Sequence, residues 1–542
     1  MESICIKNVK SLMDTNEIFL SPITLLVGKN SSGKSTFLRT FPLIKQSIRK
    51  RTDGPLLWAG DVDDYVDFGS FLDTVTNNKS DGNPIEFQFD FKLSLSRSRY
   101  YLEFLKNTLG NVKNYDVHYG ISIAKAGSKE YISRLSVNFC NSSFVFKMQP
   151  NPRDVNVVVD GIQILPKKTF KNNILSPFDD ERKSVFGFKL PPIEMFLDLV
   201  AKSSYENEME NLNLTLENFG MYNLFLPFTS GEIAMQIIGE CLCKGVPLSI
   251  FDADFPDEDK KDNSKVIGNI FKIVAQLNNA NDESKEHMIA ILKLVYFYGC
   301  FSVMDRYIAN YFNQVHYIAP VRATAERYYR LRNVSIDEVD FQGKNLAIFL
   351  ENLSKNDKLS HFNQWTDDLL GFHVGTKNDG EHVSIQVVAR GNDKATNLLD
   401  TGFGFSQILP IVTQLWQIVT EKAGDDKQRK HSWNVPPLVL AVEQPELHLH
   451  PALQGDLAKS FVNSIELAKK NAFRLQLILE THSETIVNYF GMAVAEGKIS
   501  PKDVSVVLFN KDENNITRVH NSGYDEDGYL LDWPIGFFSA RS

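Results

Sequence analysis

The sequence predicts an α/β fold with a mixed sheet, an antiparallel β subdomain and a helical insertion. Three observations predict it. An apolar strand, a glycine-rich loop and an amphipathic helix follow one another between residues 24 and 50. From Asp53 to about Asn172, runs such as Ile85 to Leu93 alternate apolar and polar positions with a period of two. From Pro191 to about Phe312 the apolar residues recur mostly at helical spacing.

Length and composition set the frame. At about 150 residues per domain, the chain is long enough for three to four domains, and its 542 residues can bury large cores without disulfide or metal staples. With 58 Lys and Arg against 67 Asp and Glu, the net charge of −9 argues against a globally basic nucleic-acid binder. It leaves room for a local basic groove. Cys5, Cys140, Cys241, Cys243 and Cys300 are odd in number, scattered and without a CxxC pair, the usage of buried thiols in a reducing compartment. The start, MESICIKNVK, has neither the basic nor the apolar region of a signal peptide. The longest apolar stretch, His287 to Met304, holds Lys293 and is interrupted by Gly299, so it reads as a buried core helix. A soluble, cytoplasmic protein without a membrane segment is expected.

The elements follow in chain order. Ser3 to Val9 and Thr24 to Val27 read as strands, and FLRTFPLIKQSIRK after the glycine loop as a helix with a basic end. Ile85 to Leu93 alternates strictly, and Val155 to Ile164 carries an Asp-Gly turn between two apolar runs, a hairpin signal. Asp252 to Asp262 reads as an acidic, solvated loop. Val383 to Val388, Pro437 to Val442, Leu475 to Leu479 and Val504 to Phe509 are further strands, the last pairing with Ile516 to Val519. No repeat or long heptad run appears. The 38 Phe, against 18 Tyr and 5 Trp, suit a large apolar interior.

The chemistry-bearing motif is Gly28-Lys-Asn30-Ser31-Ser32-Gly33-Lys34-Ser35, which fits G-x-x-x-x-G-K-[ST] between a strand and a helix. The glycines let backbone N–H groups converge on phosphate oxygens, and the helix N-terminus adds positive potential. Lys34 is placed to reach the β- and γ-phosphates, Ser35 to hold Mg²⁺, and the Thr36 N–H to lie on the α-phosphate side. The strand PLVLAV runs into Glu443-Gln444-Pro-Glu446-Leu-His448-Leu-His450, which places Glu443 to organise Mg²⁺ through its water shell. The strand LQLILE runs into Thr481-His482-Ser483, and His482 can donate to a γ-phosphate or the attacking water. Upstream, Asp400-Thr-Gly402-Phe-Gly404-Phe-Ser406-Gln407 forms a second glycine turn, with Ser406 able to cap the following helix.

Together these motifs resemble the ABC-type ATPases of the SMC, Rad50 and RecF class, over residues 1–95 and 310–542. The resemblance implies an ABC-type P-loop ATPase head using ATP and Mg²⁺. It implies Glu443 as the Walker B acid, His482 as the switch histidine, and Gly402, Gly404, Ser406 and Gln407 as a signature turn. That turn closes the nucleotide site of a second copy, in a homodimer or higher oligomer. VGKNSSGKST, DYVDFGSF (Asp64 to Phe71), HYIAPVRATAERYY (His316 to Tyr329), GFGFSQILPI, VEQPELHLHP, ETHSE and the terminal WPIGFF further resemble compact ATPases of bacterial anti-phage modules. These are the ATPase half of OLD-family proteins and the PtuA ATPases of Septu and retron-associated systems. This resemblance implies an effector nuclease partner of the HNH, PtuB-like kind, with a reverse transcriptase and msDNA as further candidate partners. A stand-alone RecF-like DNA-repair clamp is the alternative.

One departure stands out. Gln444 occupies the position of the catalytic Glu in ABC-type sites, and an amide cannot act as a general base. Base-assisted hydrolysis should weaken by up to roughly 10²–10⁴-fold unless Glu446 substitutes. His448-x-His450 reads as a packing loop rather than a metal cluster, and Asp525-x-Asp527 as a turn rather than half of a nuclease site. Lys45, Arg49, Lys50 and Arg51, and later Arg322, Arg327, Arg330 and Arg332, form two basic groups, open to solvent or to nucleic acid. The expected division is an N-terminal ATPase lobe with the β subdomain (1–172), a helical insertion (173–312) and a C-terminal ATPase lobe (313–542).

Overall fold

A computed structural model gives the fold. It describes all residues except 51, 53, 77–82, 94–114, 151–153, 170–185, 187–229, 248, 250–256, 332–335, 337, 392–393, 423–434, 514–515 and 533–542. The described chain forms two compact units. One takes in Met1–Glu2, Ser47–Leu57 and Lys79–Ala309; the other takes in Ser3–Gln46, Trp58–Asn78 and Asn310–Ser542.

The first unit contains a meander. The strands Ile85–Leu93, Tyr115–Ala126, Lys129–Phe139, Ser142–Met148, Asp154–Val159 and Ile162–Thr169 pair antiparallel, each with the next. The period-two pattern has its expected cause: Ile85, Phe87, Phe89, Phe91 and Leu93 all turn to a buried face. Asp160 and Gly161, both at positive φ, make the tight turn read from the sequence. The apolar stretch from His287 lies in the helix Asp282–Asn313, which packs its rings on the sheet. Phe297 stacks on Phe144 at 4.4 Å and Tyr307 on Phe91 at 4.7 Å. This is where much of the phenylalanine goes, at about 1.5–3 kcal/mol per buried ring. By length and hydropathy this helix could cross a membrane, but 56% of its apolar window is buried inside the protein.

The acidic loop expected at Asp252 to Asp262 needs correction. Its second half, from Asp257, begins the helix Asp257–Asn279, and residues 252–256 lie outside the described residues. Buried Val266, Ile267, Ile270, Ile273, Val274 and Leu277 recur at helical spacing and carry the helix back into the charged run. Of the expected insertion, residues 187–229 also lie outside the described residues, as does WPIGFF.

The second unit is built on a six-stranded mixed sheet. Its order is Val315–Ile318, Leu438–Glu443, Leu475–Glu480, Ile23–Gly28, Val504–Lys511 and Thr517–Ser522. The first five strands run parallel and the last antiparallel. Ile23–Gly28, Leu438–Glu443 and Leu475–Glu480 are buried along their whole length, which explains their unbroken apolar runs. The α/β class, the mixed sheet and the antiparallel subdomain are therefore as expected. A smaller antiparallel sheet forms around His382–Ala389, which pairs with Phe372–Asn378. Parallel strands bring their carboxyl ends to one edge, where open α/β sheets bind ligands. Gly28, Glu443 and Glu480 all end strands at that edge.

Candidate nucleotide site

The phosphate loop lies between the strand ending at Gly28 and the helix Lys34–Arg49. Two glycines are sterically required. A Cβ on Gly28 would lie 2.3 Å from the Phe509 carbonyl oxygen. Gly33 has φ of 101°, and a Cβ there would lie 2.7 Å from Leu12 Cδ2. Ser31 is also left-handed, at φ 60°. The Thr517 hydroxyl donates to the Ser32 carbonyl at 2.9 Å and pins the loop from the edge strand. Asn30 and Ser31 are exposed, Ser32 is buried, and Ser35 and Thr36 are half-buried in the first helical turn. The Lys34 ammonium donates to the carbonyls of Gly28 (2.9 Å) and Lys29 (2.8 Å), and burial pushes its pKa down.

The acids come from the two neighbouring strands, whose last residues, Glu443 and Glu480, are register partners. Glu443 is fully engaged. Arg39 grips it through Nε at 2.7 Å and Nη2 at 2.8 Å, and the buried Tyr317 hydroxyl donates to it at 2.7 Å. Ser35 donates instead to Glu480 Oε1, at 2.8 Å. Glu480 is 2% exposed. Burial and then the neighbouring Glu443 push its pKa up to about 7, against the pull of Ser35, Lys34 and Arg39.

Beyond the strand end the chain turns sharply. Gln444 has φ of 44°, and its N–H donates to the Glu480 carbonyl at 2.8 Å. Buried Arg322 fixes this turn by donating to the carbonyls of Glu443 (2.9 Å) and Gln444 (3.2 Å). Desolvation lowers the Arg322 pKa to about 10. Glu446 accepts from the Thr481 hydroxyl at 2.8 Å and the His482 N–H at 2.7 Å, and burial raises its pKa. His482 is pushed down to about 4 by burial and then by Lys34. It is therefore a neutral imidazole at pH 7, with one N–H to donate.

The glycine turn at Gly402 makes other contacts. Gly402, at φ 86°, is the N-cap of the helix Phe403–Gln417, so the expected Ser406 cap is corrected. Glycine's freedom at positive φ lets the helix begin earlier, and Ser406 lies one turn inside it. Its hydroxyl donates to the Phe403 carbonyl at 2.8 Å. Gln407 is buried beside it, and Gly404 lies near His448 and Leu449. Phe403 is 63% exposed. The His448 ring lies 5.9 Å from Phe403, and His450 Nδ1 accepts from the Ala452 N–H. Among the described residues no hydrogen bond joins this turn to the phosphate loop. Asp525 accepts from the N–H groups of Asp527 and Tyr529, a turn.

Several members of the two basic groups are buried or paired. Lys45 and Arg322 are buried, so neither faces a nucleic acid. Arg327 is paired with Asp400 at 2.7 Å, while Arg51 and Arg332 lie outside the described residues. Sequence reasoning missed Glu480, Arg39 and Tyr317 at the site. A signal for Glu480 existed: LQLILE, like LVLAVE, is an apolar run ending in an acid.

The model of the AAA ATPase domain family matches residues 1–487. The chain belongs to the AAA ATPase domain family. Among solved structures, this AAA ATPase is similar to an SMC head domain from Thermotoga maritima, at 10% identity over 96% of this chain and 97% of that one, with a TM-score of 0.29. It is also similar to the recombination mediator RecF of the RecFOR pathway with ATPrS, at 13% identity over 96% and 97% of the two chains, with a TM-score of 0.22. No curated protein matches this chain. The oxygen donors at the strand ends fit a hard cation such as Mg²⁺, and among the described residues the buried Glu480 Oε2 has no hydrogen-bond partner.

Proposed function

We propose that this AAA ATPase binds and hydrolyses ATP with Mg²⁺ as an ABC-type head, dimerises on ATP, and regulates a partner effector nuclease in anti-phage defence. One observation carries the nucleotide reading: the Gly28–Thr36 cradle converges with Glu443, Glu480, Glu446 and His482 around Lys34 and Ser35. In this reading the loop N–H groups and Lys34 bind and orient the phosphates. His482, neutral, donates a hydrogen bond toward the γ-phosphate. Arg39 and Tyr317 hold Glu443 in place. Mg²⁺ would be held by Ser35 and the strand-end acids, and it supplies charge neutralisation on the phosphates.

Exposed Phe403, and the open space around Gly402, support a turn that meets a second copy. Gly402, Gly404, Ser406 and Gln407 then complete the partner copy's site. In this reading the insertion at 173–312 stands where longer relatives carry a coiled-coil arm, and the protein works in the cytoplasm. The effector role rests on the resemblance to Septu, retron-associated and OLD-family ATPases, with an HNH, PtuB-like nuclease as the partner class. A reverse transcriptase with msDNA is a further candidate.

The test is sedimentation with a non-hydrolysable ATP analogue, followed by affinity purification from the native host. Dimers should form with the analogue and disappear in Lys34→Ala and Phe403→Asp, and a nuclease should co-purify. A monomer at saturating analogue would overturn the composite site. A dimer without any nuclease would overturn the effector role.

A further inference from the structure

We infer that Glu480, rather than Glu443 alone, is the carboxylate that meets the nucleotide's Mg²⁺ beside Ser35. This deepens the ATPase reading and rests on it. The sheet order is the first reason. The strand ending in Glu480 lies between the phosphate-loop strand and the strand ending in Glu443, so Glu480 is the nearer acid to the loop. The side chains agree. Ser35, the hydroxyl that the loop motif assigns to the cation, is bonded to Glu480 Oε1 at 2.8 Å.

The second reason is availability. Both oxygens of Glu443 accept from Arg39, and Oε1 also accepts from Tyr317. Both oxygens of Glu446 are taken by Thr481 and His482. Glu480 Oε2, by contrast, is buried with no hydrogen-bond partner among the described residues. An uncompensated buried carboxylate oxygen is costly and calls for an explanation. Lys34 does not supply one, because its ammonium is bonded to the carbonyls of Gly28 and Lys29. A divalent cation held by Glu480 and Ser35 would. It satisfies the spare oxygen, and it removes the repulsion that an anionic Glu480 exerts on an incoming polyphosphate. Glu443 then acts as a positioning residue, held by Arg39 and anchoring the adjacent strand end.

The experiment uses the full chain with a non-hydrolysable ATP analogue. Calorimetry gives analogue affinity in EDTA and in Mg²⁺, and Mn²⁺ electron paramagnetic resonance gives cation affinity in the ternary complex. Glu480→Gln should bind the analogue in EDTA at least as well as wild type, yet lose Mn²⁺ affinity by about 10–100-fold. Glu443→Gln should lose less. Full Mn²⁺ affinity in Glu480→Gln would overturn the assignment, as would an equal loss of analogue affinity in EDTA. Where Glu480→Gln does not fold, Glu480→Asp replaces it. The shorter carboxylate should weaken Mn²⁺ binding, and unchanged binding would overturn the assignment. A wild-type chain that binds no analogue in either condition would overturn the ATPase reading itself, and the role of Glu480 with it.

Discussion

Removing the charge of Glu480 should change how the stability of the metal-free protein depends on pH. The folded carboxyl titrates at about 7 against an ordinary value of 4.5. Between those values the unfolded chain has released its proton while the folded site still holds it. Folding therefore takes up a proton, and stability falls as pH rises through this window. At about 1.4 kcal/mol per pH unit, the upper scale of the loss is about 3 kcal/mol. Burial sets most of it and the facing Glu443 adds to it, while Ser35, Lys34 and Arg39 oppose it. His482 works the other way. Its folded value of about 4 lies below the ordinary 6.5, so its contribution to stability falls as pH drops from 6.5 toward 4. A wild-type curve alone would blend the two. The informative quantity is the difference between wild type and Glu480→Gln, since both retain His482. Urea unfolding in EDTA at pH 5 and pH 8 should show wild type losing up to about 3 kcal/mol relative to the variant. A difference that stays constant across that range would refute the reasoning.

Two further outcomes follow from the same geometry. Gln444→Glu restores a carboxylate beside Glu443, and phosphate release should rise at least about tenfold, since a positioned base contributes about 10²–10⁴-fold; an unchanged rate would mean that another group already activates water. Phe297→Ala removes a fully buried ring stacked on Phe144 at 4.4 Å, and it should cost about 3–5 kcal/mol in a denaturant titration.

Much of the second unit was legible because its physics is local. Parallel strands buried on both faces must be apolar throughout, so LVLAV and LQLIL announced themselves, and the glycine loop is a steric requirement written in residue types. The helix start at Asp257 was not legible, because its apolar stripe begins only at Val266, nine residues on. The site was legible in its parts but not in its pairings. Ser35 and Glu480 are 445 residues apart, and Arg39 and Glu443 404. Nothing in spacing says which acid a given hydroxyl meets, because the sheet order decides that. Placing LQLILE between the other two strands moves Glu480 next to the loop.

The same sheet order bears on the rate of turnover. Three acids gather at the strand ends beside the glycine loop, and each is used differently. Glu443 is neutralised by Arg39, and Glu446 is bound to the backbone and hydroxyl of the Thr481–His482 turn. Every oxygen of both already accepts a hydrogen bond. For Glu446 to replace the missing base, the Thr481 hydroxyl or the His482 N–H must give up or share its oxygen, and both contacts set the turn carrying the imidazole. Freeing one group thus disturbs the other. Glu480 keeps a free oxygen, but its bond to Ser35 commits it to the cation side of the site. Under the proposed ATPase reading, an amide at 444 favours holding a triphosphate over cleaving it. In the proposed function that asymmetry would suit a switch, whose ATP-bound form would persist until something outside the site shifts the Thr481–His482 turn.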